Sequence, residues 1–307
     1  MNMEESLEEY GLANNNRLSV SSVKRLLDIY GIKSIKSMGQ NFLIDGNITE
    51  KIVRLSGIDD SCAVLEIGPG LGALTLELSR VAGHVIAIEL DRRLLPILND
   101  TLSECGNVVV IQGDVLKLDV NDIISDICDG LSYHVCANLP YNITTPMLTK
   151  LISSDVFDTI TVMLQKEVAH RICADPGTSE YGAFTIYVNY YSVPHLLFDV
   201  SPECFLPRPN VRSSVISLVK RESRLLDPFR ESVFFRIVRA SFAQRRKTLV
   251  NSLFAVFGDV ATKDALSRLV SDAGFDVLIR GETLSINDFK CLTDSFLSHG
   301  LIETPSD

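Results

Sequence analysis

At 307 residues the chain is long enough for a sizeable α/β domain and a smaller second domain, and its 46% hydrophobic content is typical of a globular protein. No apolar run approaches the roughly 18 residues that span a bilayer, and the acidic start resembles neither a signal peptide nor a transit peptide, so we expect a cytoplasmic protein with no membrane partner. Seven cysteines without a C-x-x-C pair argue against a disulfide framework and against a metal site, and the net charge of −10 argues at first against a nucleic-acid partner.

The N-terminal region begins with a polar stretch that has no periodicity. Residues 1–16 are rich in Asn and acidic side chains, and we expect them to be disordered. A short amphipathic helix should follow, with Ser19 or Ser21 as its N-cap and Gly31 at its end. Residues 36–45 then have the composition of a tight loop that leads into a second helix.

A glycine-rich turn lies between a predicted strand and a predicted helix. Residues 63–67 are apolar enough for a buried parallel strand, and a run of good helix formers begins at Ala73. Gly68, Gly70 and Gly72 would let a ligand approach the backbone more closely than a Cβ allows, with the helix N-terminus facing it. Because the spacing departs from the dinucleotide fingerprint, the turn predicts only a nucleotide-type site.

Polar side chains stand at or near the carboxyl ends of four predicted strands. Glu66 lies in the first strand, Glu89 ends the second, Asp114 follows the third and Asn138 follows the fourth. In an open α/β sheet these ends lie at one edge, where ligands bind. A single acid there is as often a helix cap or an exposed turn, but the four together predict one pocket. In it Glu89 can accept hydrogen bonds from two ribose hydroxyls and Asp114 from an adenine amine.

The loop after the fourth strand has the sequence Asn138, Leu139, Pro140, Tyr141. An Asn side chain and adjacent backbone carbonyls can accept hydrogen bonds from a planar amine, and a neighbouring Tyr can stack on the ring that carries it. The competing interpretation is a proline turn whose Asn bonds its own backbone. The strand-end context favours the amine-binding loop.

The remaining strands are predicted at residues 159–164, 196–200 and 213–219. The last two flank a loop, residues 200–211, that contains three prolines and is too rigid for a flexible linker. Phe205 in this loop is either a second stacking face or a packing residue.

The charge is distributed unevenly along the chain. Between Arg208 and Lys247 eleven Lys and Arg residues face three acidic ones, a local balance of +8, so the rest of the chain carries −18. A basic face on an acidic body is typical of proteins that bind nucleic acid.

From about residue 223 the pattern predicts helices without intervening strands. An apolar stripe at helical spacing is formed by Phe235, Val238, Phe242 and Leu249. The basic residues between them are either solvated surface or contacts to RNA phosphates, and the density of Arg favours RNA. The candidate RNA-binding residues are Arg208, Arg239, Arg245, Arg246 and Lys247.

With these residues in place, the chain closely resembles the ribosomal RNA adenine dimethyltransferases, specifically the bacterial type that modifies two adjacent adenines of 16S rRNA. The resemblance is nearly end to end, except for the first fifteen or so residues and parts of the last helical region. The matching stretches are residues 36–45, 66–75, 88–91, 113–114, 138–141, 164–171, 205–209 and 242–249.

The resemblance implies an α/β fold of the Rossmann-like class I methyltransferase type, with S-adenosyl-L-methionine as cofactor. A seven-stranded, mostly parallel sheet would occupy residues 17–222, and a small all-helical domain would occupy residues 223–307. The implied catalytic residues are Asn138, Leu139, Pro140, Tyr141 and Phe205. The implied cofactor-binding residues are Asn41, Leu43, Glu66, Gly68, Gly70, Glu89, Asp114 and Asn138.

The implied substrate is 16S rRNA within an immature small ribosomal subunit, and we expect a monomer. Three other functions share parts of the pattern. A macrolide-resistance 23S rRNA methyltransferase more often carries Ile or Phe in place of Leu139. An NAD-dependent oxidoreductase shares the glycine turn but not the Asn138 loop or the basic helical tail. A non-catalytic RNA-binding assembly factor would not need an intact set of site residues, Glu89, Asp114, Asn138 and Tyr141.

Overall fold

A computed structural model describes residues 20–32, 40–127 and 130–301. The predicted disordered stretch, residues 1–16, and the candidate cap Ser19 lie outside the described residues. The chain divides into two compact units. The first contains the described residues up to Ala169 together with His195–Lys220, and the second contains His170–Pro194 and the described residues from Arg221 onward.

The first unit is built on a seven-stranded sheet. Five neighbouring strands are parallel, and the next strand runs antiparallel to them, with Val162 opposite Ile216. The prediction of a seven-stranded, mostly parallel sheet is therefore confirmed. The strands are β2 (Cys62–Ile67), β3 (His84–Glu89), β4 (Val108–Gln112), β5 (Ser132–Asn138), β6 (Thr159–Gln165), β7 (Ser192–Val200) and β9 (Ser213–Lys220), in the order β4-β3-β2-β5-β6-β9-β7.

The strand order places a crevice beside β2. The chain passes from β2 to β3 on one side, and later returns to pair β5 with β2 on the other side. The loops that leave the carboxyl ends of β2 and β5 therefore diverge. The crevice between such diverging loops is the usual ligand position in open α/β sheets. All six residues of β2 are buried, so both faces of the sheet are covered there, as expected for a continuous apolar parallel strand.

Strand β7 begins at Ser192, four residues before the predicted start at residue 196. The sequence pattern is obscured there because Pro194 interrupts the run and several side chains are exposed. Since β7 lies at the edge of the sheet, a proline without an N–H group is tolerated.

Helices connect the strands of the first unit. The helix Gly46–Ser56 shows why they begin and end where they do: the Asp45 carboxylate accepts the backbone N–H of Asn47 at 3.0 Å, and Gly57 ends the helix with a φ of 72°. The helices are α1 (Val20–Ile29), α2 (Gly46–Ser56), α3 (Ala73–Ser79), α4 (Leu95–Thr101), α5 (Val120–Ile127), α6 (Thr144–Ser153) and α7 (Lys166–Ile172), the last extending into the second unit.

A two-stranded antiparallel sheet joins distant parts of the first unit. It consists of β1 (Phe42–Leu43) and β8 (Phe205–Leu206), with Leu43 opposite Phe205. The backbone N–H of Ile44 also donates to the carbonyl of Cys204 at 2.9 Å. The three-proline loop therefore holds β1 in place through backbone hydrogen bonds.

The second unit is helical around one core of its own. The most deeply buried side chains in it include Phe234, Phe257, Phe289 and Phe296. The described residues from Pro228 onward form helices and no strand, so the all-helical character predicted for the C-terminal region is confirmed. The second unit also includes His170–Pro194, which the prediction placed in the first domain. None of the described helices is long and apolar enough to cross a membrane. Its helices are α8 (Ala183–Tyr191), α9 (Pro228–Ala243), α10 (Leu249–Phe257), α11 (Lys263–Asp272) and α12 (Ile286–Ser298).

The predicted apolar stripe does not lie on one helix but is divided between two. Helix α9 ends at Ala243, and Leu249 begins α10 after the Thr248 hydroxyl caps it. Phe234 and Ile237 are fully buried in α9, whereas Phe235 and Phe242 are half-buried. The sequence does not reveal the break between the helices, because the apolar residues keep a helical spacing across the short turn that connects α9 and α10.

Candidate active site

A cavity of about 220 Å³ opens at the carboxyl ends of β2, β3, β4 and β5. This is the position that the strand order predicts for a ligand. Nine of the predicted site residues line it together: Asn41, Gly68, Gly70, Glu89, Asp114, Asn138, Leu139, Pro140 and Tyr141.

Three predicted site residues do not line the cavity. Glu66 lies within the buried strand β2, and only 2% of its surface is exposed. Leu43 and Phe205 are opposite one another in the small β1–β8 sheet, and both are buried in the core of the first unit. Phe205 is 2% exposed, so of the two alternatives that the sequence left open the structure favours the packing residue over the stacking face, against the catalytic role implied by the resemblance.

Other residues line the cavity that the sequence motifs did not predict. Gln40 and Phe42 lie on either side of the predicted Asn41, and Val115 follows the predicted Asp114. Their only signal in the sequence is that they adjoin residues of a recognised motif, because neither an apolar side chain nor a lone Gln indicates a ligand.

The glycines of the turn have different surroundings. Gly68 has a φ of 67° and no atom within 4 Å of the place where a Cβ would stand, so its outer face is open to a ligand. Gly70 has a φ of 61°, and a Cβ there would stand 3.0 Å from Cδ1 of Phe42. Both positions favour glycine through their φ angles, but only Gly68 combines this with open space.

Glu89 projects its carboxylate into the cavity from the end of β3. One oxygen accepts the backbone N–H of Asp91 at 2.8 Å, and the other accepts that of Gly70 at 3.2 Å. Burial raises the pKa of the Glu89 carboxyl, and the two backbone N–H groups act in the opposite direction. Each oxygen has a further lone pair, so the group can accept two hydroxyl hydrogens from a ligand.

Asp91 is held as an anion at the same edge of the sheet. The guanidinium of Arg93 donates to both of its carboxylate oxygens, at 2.9 and 2.5 Å, and the side chain of Gln40 donates to Oδ2 at 2.8 Å. The hydrogen bonds from Arg93 and, to a smaller extent, from Gln40 lower the pKa of Asp91 to about 2.

Asp114 lies in a turn that is fixed from two directions. Its Oδ1 accepts the backbone N–H of Leu116 at 3.1 Å. The Lys150 ammonium donates to the carbonyls of Leu116 and Leu118, at 3.1 and 2.5 Å. The turn is therefore anchored to α6, while among the described residues the second oxygen of Asp114 has only a 3.5 Å ion pair with Lys117. That oxygen can accept an amine of a ligand.

Asn138 is the last residue of β5, and its side-chain NH2 group donates to the backbone carbonyl of Asn41 at 3.3 Å. The reverse amide orientation would place two oxygens against each other, so the contact assigns Oδ1 to the side that remains available as an acceptor. The Leu139 N–H donates to the carbonyl of Met163 at 3.0 Å, which fixes the start of the loop.

The Tyr141 hydroxyl and the Ser213 hydroxyl are hydrogen-bonded at 2.6 Å. Ser213 is fully buried at the start of β9, so this bond fixes the direction of the Tyr141 ring at the cavity wall. Burial raises the pKa of the Tyr141 hydroxyl, which keeps the ring neutral and suited to stacking.

A family model described as ribosomal RNA adenine dimethylase matches residues 31–290. The chain belongs to this family. It is 44% identical to ribosomal RNA small subunit methyltransferase A of Clostridioides difficile (strain 630), over 90% of this chain and 95% of the relative. It is 45% identical to the protein of that name from Bacillus cereus (strain AH187), over 91% and 96%.

Two solved structures are similar to this chain along most of its length. A dimethyladenosine transferase from Plasmodium falciparum superposes with a TM-score of 0.73 at 28% identity, covering 84% of this chain and 98% of that chain. The 23S rRNA methyltransferase ErmE superposes with a TM-score of 0.66 at 23% identity, covering 83% and 99%, and shows the same fold. The chain is thus an rRNA adenine dimethyltransferase with a class I methyltransferase fold.

The predicted RNA-binding residues of this adenine dimethylase belong to both units. Arg208 is exposed in the first unit and forms an ion pair with Glu203. In the second unit the Arg245 guanidinium donates hydrogen bonds to the Glu282 carboxylate at 2.6 Å and to the carbonyl of Thr178 at 3.1 Å. The other three candidates are exposed, and their side chains have no hydrogen-bond or ion-pair partner within the described part of the chain: Arg239, Arg246 and Lys247.

Proposed function

We propose that this adenine dimethyltransferase transfers methyl groups from S-adenosyl-L-methionine to the N6 amines of two adjacent adenines of 16S rRNA. The observation that carries the proposal is one cavity that combines Glu89 and Asp114 at the ends of β3 and β4 with Asn138 and Tyr141 at the end of β5. The small-subunit relatives at 44–45% identity support 16S rRNA as the substrate.

The cofactor fits the β2–β4 side of the cavity. Glu89 would accept the two ribose hydroxyls, the second oxygen of Asp114 would accept the adenine amine, and the open face of Gly68 would admit the methionine part. Leu43 and Glu66 would support this wall from within the core. Bound there, the cofactor supplies an electrophilic methyl group.

The target adenine would occupy the Asn138 side. Its amine is a poor nucleophile because the lone pair is delocalised into the ring. Acceptors at Asn138 Oδ1 and the Leu139 carbonyl bind the amine hydrogens and favour tetrahedral geometry, which directs the lone pair toward the methyl group. No strong base is needed, because methylation leaves an acidic N–H that water can remove.

Tyr141 would stack on the target base once it leaves the RNA stack. Such stacking is worth about 1 to 3 kcal/mol per base, which offsets an unstacking cost of a few kcal/mol. The neutral ring, held by Ser213, is present before the base arrives, so little ordering is required on binding.

We assign catalysis to residues 17–222 and docking on the immature small subunit to the basic residues together with the helical region, residues 223–307. The protein would act as a cytoplasmic monomer without a metal. Arg208, Arg239, Arg245, Arg246 and Lys247 would contact phosphates, which position the enzyme but carry no sequence information.

The test is methyl transfer from radiolabelled cofactor to immature small subunits, followed by nucleoside analysis. Dimethyladenosine at two adjacent 16S positions is the expected product. Label on large-subunit RNA would indicate a 23S enzyme, NAD binding in place of the cofactor would indicate an oxidoreductase, and subunit binding without transfer would indicate an assembly factor.

The role of Asn138 has its own test in single-turnover kinetics. Asn138→Ala should lose most of the rate, by roughly 100-fold or more, while it retains cofactor and subunit binding, because its contacts matter most as the amine rehybridises. Asn121→Ala makes the same change at an exposed position of α5 and should behave as the unmodified protein. A near-normal rate for Asn138→Ala would mean that another group activates the amine.

A further inference from the structure

Gln40 connects the two halves of the cavity through hydrogen bonds. It is a half-buried cavity residue, and its side-chain NH2 group donates to Oδ2 of Asp91 at 2.8 Å. Asp91 is 5% exposed and anionic, so it is a strong acceptor that the Arg93 guanidinium holds in place. The contact spans 51 residues of sequence.

Asp91 in turn belongs to the cofactor half of the cavity. Its backbone N–H donates to Oε1 of Glu89 at 2.8 Å, so one residue bonds Glu89 through its backbone and Gln40 through its side chain. Because Glu89 and Arg93 hold Asp91 independently of Gln40, the Gln40–Asp91 bond fixes the position of Gln40 and not that of the ribose-binding carboxylate.

The residue after Gln40 belongs to the target half. The carbonyl of Asn41 accepts the side-chain NH2 group of Asn138 at 3.3 Å, and this contact leaves Asn138 Oδ1 available as the acceptor. The position of this carbonyl depends on how its segment is anchored. On one side the segment continues into β1, which pairs with β8, and on the other side the Gln40–Asp91 bond restrains it.

We propose that Gln40 is a positioning residue that sets the orientation of the Asn138 amide by anchoring the Asn41 carbonyl to Asp91. The inference rests on the proposed role of Asn138 in binding the target amine. Gln40 acts through Asn41 and Asn138, and no contact of Gln40 with the reacting atoms is required.

The first test is single-turnover methylation of immature small subunits by Gln40→Met, which keeps the side-chain volume and removes the donor. We expect a loss of rate of about 10-fold or greater with less than about a threefold change in cofactor affinity by calorimetry. Gln112→Met is the matched control, because Gln112 is exposed and outside the cavity lining. An unchanged rate for Gln40→Met would overturn the inference.

A double-mutant cycle distinguishes positioning from general damage. If Gln40 acts through Asn138, Gln40→Met should reduce the rate by less than about twofold in an Asn138→Ala background, since the amide that it orients is already gone. Multiplicative losses would show that Gln40 acts independently and would contradict the proposal.

The variant Gln40→Glu adds a readout that loss of packing would not change. At neutral pH two carboxylates would face each other, whereas a protonated Glu could donate to Asp91 as Gln does. Its rate relative to the unmodified protein should therefore rise as the pH falls from about 8 to about 5.5. A constant ratio across this range would count against the hydrogen bond.

The inference can fail separately from the proposed function. If the unmodified protein does not methylate 16S rRNA, the proposed function fails, and the Gln40 inference is then decided by NMR of 15N-labelled protein. The resonance of the Asn138 side-chain proton that donates to the Asn41 carbonyl should shift in Gln40→Met toward the position typical of a solvated amide, because this hydrogen bond is weakened. Identical Asn138 resonances in both proteins would overturn it.

Discussion

Two buried carboxyl groups near the same edge of the sheet have opposite surroundings. Glu89 receives two backbone N–H groups, whereas Glu66 Oε2 has no hydrogen-bond partner among the described residues. Burial raises the pKa of Glu66 to about 8, so this side chain is mainly protonated at neutral pH. Glu89 is therefore the group prepared to accept ligand hydroxyls, and Glu66 is a buried acid inside the wall.

Replacing Glu89 should weaken cofactor binding. In Glu89→Ala two ribose hydroxyls lose a charged acceptor, and each such hydrogen bond is worth on the order of 1.5 to 3 kcal/mol. Calorimetry should show the loss of affinity, while subunit binding should persist. Glu104→Ala, at an exposed position, is the control. Unchanged cofactor affinity in Glu89→Ala would place the ribose elsewhere.

Glu66 should make the stability of the cofactor-free protein fall as the pH rises. Its folded-state pKa, about 8, is above the ordinary value of 4.5, so between these pH values the folded state binds more protons than the unfolded state. Stability from this group is fully present below about pH 4.5 and is lost as the pH rises toward 8, by up to about 1.4 kcal/mol per pH unit.

Urea unfolding at about pH 5.5 and about pH 8.5 measures this effect. Glu66→Gln cannot ionise, so its free energy of unfolding should fall less between the two pH values than that of the unmodified protein. Parallel pH dependence in the two proteins would show that Glu66 titrates normally in the fold.

The loops that form the cavity are held in place by other helices and strands that contact them. The β1–β8 sheet supports Phe42, whose ring fills the space beside Gly70. Lys150 of α6 anchors the turn after Asp114, and Ser213 of β9 holds Tyr141. Each loop at the cavity is therefore tied to an element distant in sequence.

Alanine substitutions in the glycine turn should separate stability from ligand binding. Gly68→Ala and Gly70→Ala both force a non-glycine residue to positive φ, at about 1 to 2 kcal/mol each. Gly70→Ala should lose additional stability, because the new methyl group meets the Phe42 ring. Gly68→Ala should lose mainly cofactor affinity, because its methyl group occupies open cavity space.

Thermal unfolding and calorimetry on the same samples test this contrast. Gly274→Ala is the control, because Gly274 has a φ of 87° and no atom near its Cβ position, but lies in the second unit. It should lose stability without losing cofactor affinity. Full cofactor affinity in Gly68→Ala would show that the ligand does not approach this backbone.

The distribution of charge over the whole molecule separates RNA binding from cofactor binding. The acidic body repels RNA over a distance, so phosphate attraction has to come from the segment between Arg208 and Lys247, with its local balance of +8. Arg246 and Lys247 are exposed in the turn between α9 and α10, where both can reach a phosphate.

Neutralising Arg245, Arg246 and Lys247 together to Gln should reduce the salt dependence of subunit binding. Each lost phosphate contact removes roughly 0.7 to 0.9 from the slope of log affinity against log salt. Cofactor affinity should not change. A control triple variant, with Lys24, Arg54 and Lys263 changed to Gln, removes the same charge from exposed positions outside the segment. Equal slopes in the two triple variants would mean that the docking face lies elsewhere.

Most of the strands and the polar residues at their ends can be predicted from the sequence because their signals are local. Continuous apolar runs mark the buried strands, and glycines or polar residues mark where they stop. These signals alone are enough to place Glu89, Asp114 and Asn138 at one edge of the sheet, where all three line the cavity. The family motifs added Asn41 and the adenine substrate. The basic segment was equally visible as a run of charge.

Only the tertiary structure decided which side chains meet. The bonds from Gln40 to Asp91, from Asn138 to Asn41 and from Tyr141 to Ser213 join residues 51 to 97 positions apart. Sequence periodicity reports which face of an element is apolar, but not which distant element covers it. For the same reason the sequence does not distinguish Phe205 from a stacking residue, because its ring is buried by the pairing of β8 with the distant strand β1.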